Sequence, residues 1–260
     1  MMLENKNAII YGAGGGIGSG IARAFAREGA RTFLTGRTKR KLEKLAREIV
    51  KAGGSAEVAV VDALDENAVD DHARAVAAQG GIDVSLNLIS RGDVQGISLT
   101  EMTTANFVRA IMIGVTTNFI TARAAARHMT EQGHGVILAL NSGSSHGSPM
   151  MGSTGPADAA IDTFIRNLAA EVGPSGVRVL GLWVAGVPET LNPKAIAAVN
   201  KGMKVDDATF QGILSHLDEM RLLKRSPRLS EVADVAVFLA SDRSCALTGT
   251  FINATQMFTS

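Results

Sequence analysis

Along nearly all of its 260 residues the chain alternates short apolar runs with longer amphipathic ones, and that rhythm restricts the fold more than any other feature. A strand covered on both faces reads as a continuous apolar run, and the helix covering it shows apolar residues at a 3.6-residue period. Alternation of the two builds βαβ units and a parallel sheet. The apolar runs predict strands over Asn7–Tyr11, Arg31–Thr35, Ala56–Val61, Asp83–Ile89, Gly135–Asn141, Val177–Trp183 and Gly249–Asn253. The amphipathic runs predict helices over Ile17–Glu28, Lys39–Ala52, Glu66–Gln79, Thr104–Glu131, Pro156–Glu171 and Ser230–Ser241. The expected fold is α/β: a doubly wound parallel sheet of seven strands flanked by helices. With 46% hydrophobic and 20% charged residues, 1–260 reads as one domain around one core. The interval Glu189–Arg228 breaks the rhythm, with two Gly and two Pro, and is longer than a compact connection needs. Residues 190–228 are expected to form a variable lid or substrate segment.

The first strand runs into Tyr11-Gly12-Ala13-Gly14-Gly15-Gly16-Ile17-Gly18, and a helical pattern follows directly. Glycine lets a phosphate approach the backbone, and the helix N-terminus offers free N–H groups and a positive dipole end. This is the Rossmann-type setting for a dinucleotide, with packing alone as the bland alternative. Roughly 20 residues further on, such folds read the ribose, and an acid there favours NAD. This chain has Thr35-Gly36-Arg37-Thr38-Lys39-Arg40-Lys41 instead, with no carboxylate before Glu43. Exposed cations in a first helical turn cost ~0.3–1 kcal/mol each against the dipole, so an anionic partner would explain them. The 2′-phosphate of NADP(H) fits, held by Arg37, and NAD(H) fits less well; a solvated basic face is the alternative.

Other function classes find little support. A net charge of +1 gives no field for nucleic acid or an anionic membrane. The N-terminus, Met1-Met2-Leu3-Glu4-Asn5-Lys6, lacks the order of a signal peptide, and the uncharged run near Ala110–Ala122 is too short to span a bilayer. The one cysteine, Cys245, forms no internal disulfide and reads as a buried small hydrophobe; a cytoplasmic location is expected. His72, His128, His134 and His216 lack ligand spacing and read as surface residues, so no metal site is expected. Met150, Met151, Met203 and Met220 read either as core filling or as the lining of an apolar substrate pocket.

These features resemble the short-chain dehydrogenase/reductase family, in the branch of the 3-oxoacyl carrier-protein reductases. Gly12, Gly16 and Gly18 match its Gly-x-x-x-Gly-x-Gly, with Tyr11 in place of a threonine. Leu168-Ala169-Ala170-Glu171, Gly176-Val177-Arg178-Val179 and Phe238-Leu239-Ala240-Ser241-Asp242 with Leu247-Thr248-Gly249 are close to its wording. The resemblance implies a cofactor site of Gly12, Gly14, Gly15, Gly16, Ile17, Gly18, Arg37, Asp62, Ala63, Asn87 and Thr190. It also implies a catalytic Asn, Ser, Tyr and Lys. Counting back from Leu168–Glu171 puts Thr154 at the tyrosine and Asp158 at the lysine, Gly114 stands for the asparagine, and only Ser142 matches.

The sole tyrosine of the chain is Tyr11, so the family's phenol is absent. A threonine hydroxyl does not titrate as a phenol does, and an aspartate reverses the charge of the lysine. The residues expected at the chemistry are therefore Ser142, Thr154 and Asp158, with His146 as a substitute acid or else a plain loop histidine. Three readings remain open: an NADP(H)-dependent oxidoreductase acting on a carbonyl or alcohol of a small molecule, a non-catalytic nucleotide-binding sensor or assembly partner, and a non-redox reaction on the same scaffold. The resemblance also implies a homotetramer or homodimer through the helices near Thr104–Glu131 and Pro156–Glu171. The tail Asn253-Ala254-Thr255-Gln256-Met257-Phe258 lacks the family's glycine pair.

Overall fold

A computed structural model describes residues 1–200 and 203–256. Seven strands form one parallel sheet: β1 (Asn7–Tyr11), β2 (Arg31–Gly36), β3 (Ser55–Val60), β4 (Val84–Asn87), β5 (Gly135–Asn141), β6 (Val177–Trp183) and β7 (Thr250–Asn253). Their order across the sheet is β3-β2-β1-β4-β5-β6-β7, and every pairing is parallel. The direction of winding reverses between β1 and β4, and in such sheets a crevice opens at the C-terminal ends of the strands at that point.

Successive residues of β1 point to opposite faces, as the two-residue period requires. Ile10 packs with Leu34, Leu138 and Leu180 under α1 (Gly16–Arg27), α2 (Lys39–Lys51) and α8 (Leu229–Ala240). Ile9 packs with Phe33, Ile137 and Val179 under α3 (Glu66–Ala77), α4 (Thr104–Gln132) and α5 (Thr154–Val172). Each large aliphatic side chain buried this way contributes ~1.5–3 kcal/mol, so both sheet faces need their helical cover. Caps set the helix ends: the Asp65 carboxylate accepts from Ala68 N at 3.1 Å at the start of α3, and Gly133 ends α4 at φ 79°.

Several expectations need correction. The interval read as irregular contains two helices, α6 (Pro193–Val199) capped by Asn192 and α7 (Asp207–Glu219) capped by Asp206. Of its helical residues only Ile196 is buried in α6 and none in α7, so no clean apolar stripe marks them in the sequence. Gly202 of that interval, and Met257 and Phe258 of the tail, lie outside the described residues. Cys245 is exposed, not buried. Arg178 of β6 donates to the carbonyls of Leu239, Ser241 and Ser244, which draws Ser244 inward and leaves the next residue outside. His72 and His128 are half-buried; His72 meets the ring of Tyr11 edge-on at 6.4 Å, and burial lowers its pKa. Met150, Met203 and Met220 are exposed, so they fill no core.

Candidate active site

The C-terminal end of β1 turns through Gly12 at φ 85°, and a Cβ there would stand 2.6 Å from the carbonyl oxygen of Leu88. A Cβ on Gly18 would collide with the Gly12 carbonyl. Two glycines are thus required by backbone contact alone. Gly15 caps α1 without a side-chain acceptor, which leaves the amides of the first turn to bind an anion. Beside this turn lies a cleft of about 300 Å³ lined by Gly12, Gly14 and Gly15 on one side and Arg37, Lys41 and Asp62 on the other. Ala63 also lines it. Arg37 reaches across to Asp62 at 4.0 Å and is 77% exposed.

Lys41 was not singled out from the sequence. It stands four residues after Arg37, and a Cβ on Gly14 would lie 3.3 Å from its own Cβ, so α2 lays Lys41 against the glycine turn. Asn87 is 6% exposed and does not line the cleft: it donates to Thr121 Oγ1 at 3.0 Å and accepts from Ile89 N at 3.0 Å. It fixes the end of β4, and the next residues, Leu88, Ile89 and Ser90, line the cleft instead.

Those three residues and Gly15 also line a second cleft of about 360 Å³, so the two form one groove across the switch point. Gly16, Ile17, Gly18, Ser142, Val184 and Thr190 line the second part, together with Arg91 and Asp93 of the β4–α4 loop. Thr190 stands over the glycine turn, where a Cβ on Gly16 would come within 2.9 Å of it, and its hydroxyl donates to the Val187 carbonyl at 2.8 Å. The glycine cradle, the uncapped helix start and the basic end of the groove fit a phosphate-bearing dinucleotide.

Beneath the second part lies a polar network that the motifs did not foretell. Asp158 is fully buried. Its Oδ1 accepts from Arg91 Nη1 at 2.5 Å. Its Oδ2 accepts from Ser142 Oγ at 2.6 Å, Ser142 N at 3.1 Å and Ser144 N at 2.9 Å. Arg91 is also paired with Asp93, Nη2 to Oδ1 at 3.2 Å. Asp93 in turn accepts from Thr154 Oγ1 at 2.9 Å, and Gln95 donates to that hydroxyl at 3.2 Å. Burial opposes the charged form of Arg91, but the charges of Asp93 and Asp158 outweigh it and raise its pKa. Arg91 followed the asparagine motif by only a few residues, and its signal was the unexplained Asp158: a buried carboxylate demands a cation.

Thr154 is 2% exposed, and neither it nor Asp158 lines either part of the groove. His146 is exposed, ends a 3-10 turn over Ser144–His146, and meets Trp183 edge-on at 6.0 Å; it does not line the groove either. A roof closes over the network where Gln95 N donates to Val199 O at 2.9 Å and Gly96 N to Met150 O at 2.8 Å. Among the described residues no cluster of His, Cys, Asp or Glu has the arrangement of a metal site, and no helix is long and apolar enough to cross a membrane.

The family model described as "Enoyl-(Acyl carrier protein) reductase" matches residues 12–255. The L-rhamnose 1-dehydrogenase (NAD(P)(+)) of Azotobacter vinelandii is 29% identical, over 96% of this chain and 94% of its own. A short-chain type dehydrogenase/reductase from Mycobacterium marinum is 28% identical at TM-score 0.83, covering 98% of this chain and 95% of its own. A gluconate 5-dehydrogenase from Burkholderia cenocepacia, solved with NADP and tartrate, is 25% identical at TM-score 0.84, covering 98% and 95%.

Proposed function

The chain belongs to the short-chain dehydrogenase/reductase family, and from that premise we propose that it is a cytoplasmic NADP(H)-dependent oxidoreductase interconverting a carbonyl and an alcohol of a small molecule. The observation that carries the reading is the continuity of the groove from Arg37 and Lys41, past the glycine turn, to Ser142 and Arg91. Arg37 and Lys41 would hold the 2′-phosphate, and the α1 amides the pyrophosphate. Asp62 and Ala63 would flank the adenine. The nicotinamide supplies or accepts hydride when bound. Thr190 and Gly16 bound the place where it would lie.

The altered site at the substrate end follows from charge. Asp158 stands where the family has a lysine, and Arg91 restores a cation from a different loop. Asp158 orients Ser142 through its hydroxyl and amide, and Thr154 fastens Asp93 without reaching the groove. The competing reading, a nucleotide-binding relative without chemistry, is favoured by the burial of both replaced positions. His146 has no groove contact to support an acid role, and His146→Ala is expected to leave any turnover unchanged.

Calorimetric titration with NADPH and NADH tests the reading. NADPH should bind at least tenfold more tightly, about 1.4 kcal/mol, and Arg37→Ala or Lys41→Ala should each remove most of that difference while leaving NADH unaffected. Equal affinity for both nucleotides would refute the 2′-phosphate site, and binding of neither would refute the oxidoreductase reading.

A further inference from the structure

We infer that Arg91 is a catalytic residue of this site: its guanidinium, clamped between Asp93 and Asp158, donates N–H hydrogen bonds to the substrate oxygen as negative charge develops there. The inference rests on the oxidoreductase reading and adds to it the electrophile that the replaced residues leave missing.

Four observations converge on this one side chain. First, Arg91 lines the substrate end of the groove beside Ser142, although its side chain is only 12% exposed. Second, a guanidinium has five donors in a fixed plane. Nη1 engages Asp158 at 2.5 Å, and Nη2 and Nε engage Asp93 at 3.2 and 3.4 Å, so one N–H on each terminal nitrogen has no partner among the described residues. Third, the hydroxyls of Ser142 and Thr190 are occupied. A carboxylate held by an arginine and two backbone amides only accepts, so Ser142 Oγ must donate its single proton to Asp158. Thr190 donates to Val187 O. With its proton on Asp158 and Ser144 Oγ 2.9 Å away, Ser142 Oγ has no proton left for a ligand, whereas Arg91 has N–H groups to offer.

Fourth, α4 is cut to fit. A Cβ on Gly114 would lie 2.8 Å from Arg91 Cδ and 3.4 Å from Ile161 Cδ1, so the glycine makes room for the arginine stem. Gly114, Asp93 and Asp158 are positioning residues: the first gives space, and the other two fix the plane of the guanidinium. Because a guanidinium does not release its proton near neutral pH, Arg91 stabilises the oxygen without protonating it. In the reductive direction hydride forms the new C–H bond, the carbonyl π electrons move to oxygen, and the O–H bond is completed by a proton from solvent water. The substrate oxygen is hence a neutral carbonyl acceptor: two carboxylates beside one guanidinium give the cluster a net charge of −1 and leave no excess positive charge for an anion, so Arg91 acts through its N–H groups as charge develops on the oxygen.

The probe is para-nitrobenzaldehyde, an electron-poor neutral carbonyl, with alcohol formation followed in the presence of NADPH. Removing one oxyanion donor costs about 10²–10³-fold in kcat, and that loss is expected for the pair Arg91→Gln with Asp158→Asn, which removes both charges of the buried Arg91–Asp158 pair and leaves Asp93, with a side chain 17% exposed, as the remaining carboxylate. Gly114→Ala, which keeps every charge and displaces only the arginine stem, should lower kcat in the same direction with calorimetric NADPH affinity unchanged. Arg91→Lys should recover part of the rate. Without turnover, the carbonyl stretch of the aldehyde bound beside NADP⁺ should lie at lower frequency in the unmodified protein than in Gly114→Ala. Unchanged kcat and stretch in both variants would overturn the role of Arg91. So would NADPH binding without any aldehyde reduction or shifted stretch, with the nucleotide reading left intact. Loss of NADPH binding in the unmodified protein would overturn both.

Discussion

The side chains of Thr154 and Asp158 make sense only together with a third, that of Arg91. Where the resemblance implies a lysine, Asp158 would reverse the charge, and read alone it would remove the means of lowering an acid's pKa. Arg91 supplies the missing cation, and Gly114 the room for it. Burial of an ion pair is not itself stabilising, but stripping one partner of its counter-ion costs ~3–5 kcal/mol. Rebuilding the family's residues by Thr154→Tyr with Asp158→Lys should therefore fail. The new ammonium would face Arg91, Ser142 and Ser144 would lose the acceptor of their amides, and a phenol would be forced into a niche pinned by Asp93 and Gln95. A fall of ~3–5 kcal/mol in unfolding free energy is expected, with partial recovery on adding Arg91→Ser. A double variant as stable as the parent would show that Arg91 and Asp158 are not coupled. The sequence revealed Asp158 as an anomaly but not its partner, because nothing in residue order says that a loop after β4 meets the first turn of α5.

Among the elements, α8 shows how a helix start is tied to the rest of the chain. Glu231 accepts from the Arg228 amide at 2.8 Å and forms two bonds with Arg225, at 2.7 and 2.8 Å. The Arg225 hydrogen bonds and then the Arg228 amide bring its pKa down to about 2. A carboxylate depressed in the folded state contributes stability that is full above its ordinary value of 4.5 and is lost as pH falls through about 2. The pair is exposed to solvent, so its worth stays near ~1 kcal/mol or below. Glu231→Gln should lower the melting temperature by a few degrees at neutral pH, and the difference from the parent should vanish as pH approaches about 2. A difference independent of pH would mean that the ion pair does not hold the helix start. Strands and flanking helices were legible in the sequence because period and burial coincide there. The helices α6 and α7 were not, because a short helix on the surface has little apolar periodicity, and only the caps Asn192 and Asp206 mark it.

For the whole molecule, the flank of α4 and α5 leaves large apolar side chains uncovered. Met112 and Phe119 are 57% and 45% exposed, Phe119 meets Phe164 edge-on at 6.2 Å, and Arg123 lies over the Phe119 ring at 4.9 Å. We expect copies of the chain to pair here, as the family resemblance implies. Phe119→Asp should shift the mass measured by light scattering at micromolar concentration towards the monomer, and a monomeric parent protein would rule the pairing out. By itself the sequence determined the layered fold, the strand sequence along the chain, the glycine turn and the basic segment after β2, because these rest on local periods and on backbone demands of neighbouring residues. Only the tertiary structure decided that Asn87 props the groove without lining it, that Thr154 and Asp158 lie beneath it, and that Arg91 is aligned with Ser142. Those placements bring together side chains up to 67 positions apart, and they are set by how loops close over the ends of the strands, a long-range packing outcome that no local pattern encodes.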